Sequence, residues 1–132
     1  IPDLPLFIYE KEYKSLFEKY NLKNIFLITP QTSNQRILQI DAISDSFIYM
    51  VSSASVTGSQ NGFGEEQIHY FKHIESLQLN NPQIIGFGIS NNETFTQATT
   101  HAKGAIIGSA FIKHLTKNGV NTITNFVSSI LK

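Results

Sequence analysis

The chain lacks cysteine altogether, and its ten acidic and ten basic side chains leave no excess charge of either sign among 132 residues. Without cysteine there can be no disulfide framework, thiolate metal site or cysteine nucleophile, and we expect a cytoplasmic protein. Without a basic excess there is no electrostatic footprint for nucleic acid or for an anionic membrane surface. No apolar run approaches the roughly 18 residues of a membrane span, and the first residues do not have the pattern of a signal peptide. The chain begins with Ile1 rather than methionine, so we expect a processed chain or a fragment.

Four short apolar runs are the clearest signal that is present. They lie at 25–28, 47–51, 84–87 and 105–107. The runs are continuous rather than alternating, which is typical of strands that are buried on both faces of a parallel sheet. The sequence therefore predicts four such strands.

Helical patterns separate these runs. Before the first run and after the last one, apolar residues recur at the spacing of an amphipathic helix. Thr32 with Gln35, and Ser90 with Glu93, have the spacing of capping boxes, which predicts that two further helices begin beside them. Strands that alternate with helices predict an α/β fold with right-handed crossovers. Two architectures remain open at this point, a small doubly wound sheet and half of an eight-fold barrel.

The loops after the strands are where both architectures place ligands. After the second run comes a polar, glycine-rich segment at 52–64, which is either a lid or a flexible connection. After the third run, Gly86-Phe87-Gly88 permits close approach of a ligand or forms a tight turn. After the fourth run, Gly108 and Ser109 open a helix, so they form an anion site or only an N-cap. Together these loops favour a phosphate site built from backbone dipoles rather than arginine.

Other chemical signals are weaker. His69 and His73 are four residues apart, but Tyr70 stands where a zinc protease would have glutamate. We interpret the two histidines as a surface pair and predict no metal site. No pair of carboxylates follows the strands, so the residues offer no candidate for two-carboxylate catalysis.

Several motifs resemble one known family. Val-Thr-Gly at 56–58, Gly-Phe-Gly-Ile-Ser at 86–90 and Gly-Ser-Ala at 108–110 occur in the order and spacing of tryptophan synthase alpha subunits. Asp-Leu-Pro at 3–5 and the segment 25–30 fit the same pattern, so the resemblance covers essentially the whole chain. It implies the C-terminal half of a TIM (β/α)8 barrel, with about four parallel strands and flanking helices. Residues 1–132 would form a single domain, a half-barrel fragment.

The resemblance also implies roles for individual residues in the aldol cleavage of indole-3-glycerol phosphate to indole and glyceraldehyde 3-phosphate. The substrate phosphate would be bound by the backbone groups of Gly58, Gly88, Gly108 and Ser109, with help from the serine hydroxyl. Thr57 would lie on a lid loop. Tyr49 and Phe87 would border the indole pocket. Ser55 replaces the glycine that the family usually has before Val-Thr-Gly, which would stiffen the lid.

The family's catalytic glutamate and aspartate belong to the first half of the barrel, and no residue here matches them. The resemblance thus implies a lyase of tryptophan biosynthesis whose present half is inactive alone. It needs no cofactor of its own, since pyridoxal phosphate would belong to the beta subunit, the expected partner. A half-barrel exposes strand edges and an apolar face, so two copies could also associate. The alternatives are a non-catalytic phosphate-binding scaffold, another phosphate-binding barrel of amino-acid biosynthesis, or a flavodoxin-like domain.

Overall fold

The computed structural model describes residues 4–52 and 62–132, and its centre is a parallel sheet. The strands are β1 Phe26–Ile28, β2 Ile48–Val51, β3 Gln83–Gly86 and β4 Gly104–Ile106. They form one sheet in the order β1-β2-β3-β4, and each neighbouring pair is parallel. The predicted set of four parallel strands is therefore confirmed, at the positions of the four apolar runs.

A helix follows each strand, as expected for repeated βα units. The helices are α1 Leu6–Ile8, α2 Lys14–Lys19, α3 Asn34–Ile43, α4 Glu65–Ser76, α5 Asn92–Thr99, α6 Ser109–Asn118 and α7 Ile123–Leu131. A π-helical turn, Tyr9–Tyr13, joins α1 to α2, and a 3₁₀ turn, Val120–Thr122, precedes α7. Within the described ranges, no helix combines the length and apolarity needed to cross a membrane.

The predicted capping boxes are each displaced by one residue. The side chain of Ser33, not Thr32, caps α3 by accepting a hydrogen bond from the Arg36 amide at 3.3 Å. Asn91, not Ser90, caps α5 by accepting from the Thr94 amide at 2.9 Å. The reason for the first shift is that Thr32 is engaged elsewhere, since its hydroxyl accepts from the Thr29 amide in the turn after β1.

One face of the sheet is covered by helices. Paired residues of parallel strands point to the same side, so the rows of the register define two faces. The covered face consists of Phe26, Ile28, Ile48, Met50 and Ile85, all of which are buried. These side chains share one core with α3, α4 and α5 through Ile37, Ile40, Phe71, Ile74 and Ala98.

The other face is open in the described part of the chain. The open face consists of Leu27, Tyr49, Val51, Ile84, Gly86 and Ile106. Leu27 is 43% exposed and Ile106 is 37% exposed. The expectation of strands buried on both faces is therefore wrong for this structure, because α3, α4 and α5 share their core with the other face of the sheet. A sheet with one uncovered apolar face is what half of a barrel would present.

A buried carboxylate secures the end of the sheet where β3 begins. Asp41 of α3 is 6% exposed and accepts hydrogen bonds from the backbone amides of Asn80 and Asn81, each at 2.9 Å. Both asparagine side chains also donate to it. Burial alone would raise the pKa of the Asp41 carboxyl, but these hydrogen bonds outweigh burial and hold the pKa below its ordinary value. Asp41 thus joins α3 to the turn between α4 and β3.

Candidate functional site

The carboxyl ends of β2 and β3 are joined by two hydrogen bonds. The Ser52 amide donates to the Gly86 carbonyl at 3.2 Å, which extends the ladder one residue beyond β2. The Ser52 hydroxyl donates to the Phe87 carbonyl at 2.8 Å. Ser52 itself is only 1% exposed. The first residue after β2 therefore fixes the first residue after β3.

The turn after β3 has an unusual backbone. Phe87 has φ 68° and Gly88 has φ 76°. Glycine adopts positive φ easily, whereas a bulky aromatic residue does so rarely and at a cost of about 1–3 kcal/mol. A Cβ at Gly88 would lie 3.3 Å from the Phe63 ring and 3.8 Å from the Ser52 hydroxyl. Backbone strain of this kind clusters at ligand sites, and here it lies at the predicted phosphate turn.

Two aromatic rings border the turn, and they are the pair for which the family resemblance implies a place beside the indole pocket. The Tyr49 and Phe87 ring centroids are 6.1 Å apart in an edge-to-face arrangement. The Tyr49 ring lies over Gly86, where an added Cβ would come within 1.8 Å of the tyrosine hydroxyl. Burial raises the pKa of that hydroxyl above its ordinary value, so it stays protonated at neutral pH. Phe87 remains 59% exposed and available to a ligand.

The turn after β4 opens a helix. Gly108 is the N-cap residue of α6 and Ser109 is its first residue. Both are exposed, and a Cβ at Gly108 would meet no atom within 4 Å. The first amides of a helix have no partner within that helix, and its dipole favours an anion there. Gly86 pairs with Ile106. Gly88 and Gly108 each lie two residues beyond this pair, so they occupy equivalent positions after the ends of neighbouring strands. Such neighbouring strands are about 5 Å apart.

Two predicted site residues, Gly58 and Thr57, lie outside the described residues. Beside the site, the Phe63 amide donates to the Gln97 side-chain oxygen of α5 at 3.0 Å. The Phe63 ring packs against Phe71 at 5.0 Å between centroids. Sequence reasoning missed both Phe63 and Ser52. The only hint in the sequence was that Ser52 directly follows an apolar run, which by itself does not distinguish it from other serines.

The histidine pair lies apart from these turns, on α4. His73 is hydrogen bonded to the Asn34 side chain at 2.8 Å, whereas His69 is exposed beside Phe63 and Lys72. Among the described residues there is no group of three or more His, Cys, Asp or Glu side chains that could hold a metal. The surface interpretation of His69 agrees with its exposure.

Comparison with known proteins gives consistent matches. Residues 1–130 match the family model of the tryptophan synthase alpha chain. The chain is 63% identical to the tryptophan synthase alpha chain of Christiangramia forsetii and 66% identical to that of Flavobacterium johnsoniae, in each case over 130 residues. Both alignments cover 98% of this chain and 51% of the relative. The chain thus spans about half the length of the curated relatives it matches.

A solved structure matches in the same way. It is that of the tryptophan synthase α2β2 complex from Pyrococcus furiosus, 26% identical, with a TM-score of 0.79. The match covers 98% of this chain and 53% of the other.

Proposed function

Because the chain belongs to the tryptophan synthase alpha chain family, we propose that it is the phosphate-holding half of a lyase. The whole protein would cleave indole-3-glycerol phosphate by aldol cleavage to indole and glyceraldehyde 3-phosphate, in tryptophan biosynthesis. The observation that carries the proposal is the strained Phe87–Gly88 turn, which lies beside the start of α6 at the carboxyl edge of the sheet.

The phosphate would be bound by backbone amides. Gly88 lets the main chain come close to an anion, and Gly108 and Ser109 place the first amides of α6 nearby. The Ser109 hydroxyl adds a donor. Gly58 would complete the site. No lysine or arginine lies in the turns at 86–90 and 107–110, so binding would depend on geometry and the helix dipole more than on net charge.

The indole would lie against the aromatic pair. The Tyr49 and Phe87 rings adjoin the open face of the sheet. The apolar residues Val51 and Ile106 of this face are the register partners of Gly86 on the two neighbouring strands. An apolar surface next to an amide-rich turn suits a substrate with an aromatic ring at one end and a phosphate at the other. Thr57 would lie on the loop that closes over this substrate.

The proton transfers of the reaction would need groups outside this chain. The buried carboxylate, Asp41, is saturated by hydrogen bonds to Asn80 and Asn81. No acidic residue directly follows any of the strands. The chain alone is therefore inactive in our proposal, and the acid and base would come from the other half of the protein. A beta subunit with its own pyridoxal phosphate would take the indole, in the cytoplasm.

The test is a titration of the chain with glycerol 3-phosphate, followed in ¹⁵N–¹H NMR spectra. We expect the amides of Gly88 and Ser109 to shift saturably. Gly88→Val should abolish binding, because its backbone has positive φ and a side chain would press on Phe63. Ser109→Ala should weaken binding by roughly threefold to tenfold, as for one hydrogen bond. His69→Ala, on the exposed side of α4, is the matched control and should bind as the parent does.

Two outcomes would contradict the proposal. One is a set of shifted amides centred on His69 and His73 instead of the two turns. The other is cleavage of indole-3-glycerol phosphate by the 132-residue chain itself at the rate of a full-length relative. General acids and bases contribute about 10²–10⁴-fold each, so that rate would require catalytic groups within this chain.

A further inference from the structure

We propose that Ser52 is a positioning residue of the phosphate site, because its hydroxyl holds the Phe87–Gly88 peptide with the Gly88 amide turned towards the anion. The inference rests on the proposed function, since it assigns a new role within that site. Ser52 touches neither phosphate nor indole in this proposal. It acts through the backbone of the turn after β3.

The contact on which the proposal stands is made by a buried side chain. Ser52 is 1% exposed, and its hydroxyl donates to the Phe87 carbonyl at 2.8 Å across 35 positions of the chain. Its amide also donates to the Gly86 carbonyl at 3.2 Å. The side chain and backbone of Ser52 therefore bind two successive carbonyls of the turn. A buried hydroxyl with a strong acceptor is costly to remove or misplace.

Peptide geometry converts this contact into a direction for the Gly88 amide. The described structure contains no cis peptide bond. In a planar trans peptide the carbonyl and the following N–H point in opposite directions. Since the Phe87 carbonyl points at Ser52, the Gly88 N–H points away from Ser52. Within 4–52 and 62–132, no group accepts a hydrogen bond from that N–H, and in our proposal it donates to the anion.

The strain of the turn explains why an external contact is needed. Phe87 has φ 68°, a conformation that an aromatic residue leaves readily unless its surroundings hold it. If the Ser52 hydroxyl were lost, the Phe87–Gly88 peptide plane could rotate. Rotation would turn the carbonyl oxygen towards the anion in place of the N–H. An oxygen with partial negative charge would repel phosphate, so the effect should fall on affinity.

The experiment is a titration of the 132-residue chain with inorganic phosphate, followed in ¹⁵N–¹H spectra at the Gly88 amide. Ser52→Ala removes the hydroxyl, and Ser52→Cys nearly preserves the volume with a much weaker donor. Ser52→Thr keeps the hydroxyl. Ser44→Ala is the matched control, since the Ser44 hydroxyl also donates to a backbone carbonyl, that of Ile40 at 2.7 Å, but before β2.

We expect both donor-deficient variants to bind phosphate roughly threefold to tenfold more weakly than the parent. The Phe87 carbonyl ¹³C signal should move in the same variants before any phosphate is added. Ser52→Thr should return the affinity to within about twofold of the parent, and Ser44→Ala should not change it. A purely structural role would lower stability in Ser44→Ala and Ser52→Ala alike without changing the affinity of the folded fraction.

The two proposals fail in distinguishable ways. If Ser52→Ala or Ser52→Cys binds phosphate as tightly as the parent, the positioning role is wrong and the phosphate site stands. If the parent itself shows no phosphate-dependent shift at Gly88, the phosphate site is wrong and the positioning role falls with it. The cysteine variant decides the question if the alanine variant does not fold.

Discussion

The covered and the open face of the sheet are built from alternate residues of the same four strands, yet they differ in what they do. On the covered face Ile28, Met50 and Ile85 are 0% exposed and pack into the core with three helices. On the open face Leu27 is 43% exposed, and Tyr49 lies across Gly86 beside the candidate site. Strand alternation thus separates the residues that stabilise the fold from those that border the candidate site.

The largest expected effect comes from two adjacent isoleucines on opposite faces. Ile85→Ala should lower the free energy of unfolding by about 2–5 kcal/mol, because it leaves a cavity in a fully buried layer. Ile84→Ala, one residue earlier and half-buried on the open face, should cost about 1 kcal/mol or less. Urea denaturation of both variants measures the difference. Equal costs would mean that the two faces contribute equally to stability.

The next effect on stability concerns Asp41, which joins α3 to the turn between α4 and β3. Asp41→Asn should destabilise the fold at neutral pH by about 1.5–3 kcal/mol, the range for hydrogen bonds to a charged group. The folded pKa of Asp41 is lowered. Its contribution is therefore fully present above the unfolded value of about 3.9 and is lost as the pH falls through the folded pKa.

Urea midpoints measured from pH 7 down to pH 2 check this prediction. The stability of the parent should fall more steeply on the acid side than that of Asp41→Asn, and the two curves should converge at low pH. Asp45→Asn is the control, since Asp45 forms an exposed ion pair with Lys23. Parallel curves for the parent and Asp41→Asn would show that the Asn80 and Asn81 contacts do not depend on charge.

The third prediction concerns crowding on the open face, which should lower the free energy of unfolding by about 1–3 kcal/mol. Gly86→Ala would place a Cβ 1.8 Å from the Tyr49 hydroxyl, so the ring must move. Gly104→Ala is the matched control, because its Cβ would only meet the end of the Ile84 side chain at 3.1 Å. In a double-mutant cycle, Tyr49→Ala should relieve much of the cost of Gly86→Ala. Strictly additive costs would mean that the ring does not obstruct this position.

The smallest effect on stability should come from Leu27→Lys, within about 0.5 kcal/mol. Leu27 is on the open face of β1, which pairs only with β2 in the described residues. We expect the parent chain to self-associate through this uncovered face, and the lysine to weaken that association. Sedimentation over a concentration series tests it. Leu38→Lys, at a 50% exposed leucine of α3, should leave association unchanged.

The strands could be predicted from the sequence because each unbroken apolar run has the length of a short strand, and a strand formed at each of the four runs. Which face of the sheet the helices cover could not be predicted, because Leu27 is as apolar as Ile28 and only the arrangement of the helices makes one exposed and the other buried. The caps were displaced by one residue, since Ser33 and Asn91 cap a helix as well as their neighbours do. A local sequence pattern does not show which of two adjacent polar residues will cap the helix.

For the candidate site, the positions of the turns could be predicted because they directly follow the strands. Gly88, Gly108 and Ser109 follow strands, and the structure brings the turns containing them to one edge of the sheet. The proximity of Tyr49 and Phe87 is also found. Ser52 was not predicted, because its hydrogen bond reaches a residue 35 positions away and serine after a strand has no distinctive pattern. The positive φ of Phe87 could not be predicted either, since it depends on tertiary contacts.

The π-helical turn at Tyr9–Tyr13 changes the direction in which the side chains of α1 point relative to those of α2. Leu6, which precedes the turn, and Tyr9, its first residue, are both buried, and the Tyr9 ring contacts Phe17 beyond the turn as well as Phe26 of β1. An α-helix turns by about 100° per residue, so loss of one residue from the turn would rotate Leu6 away from the side that Phe17 shares with the core. Single-residue deletions that an ordinary surface helix accepts would therefore be excluded here, and the length of this segment should hardly vary in evolution.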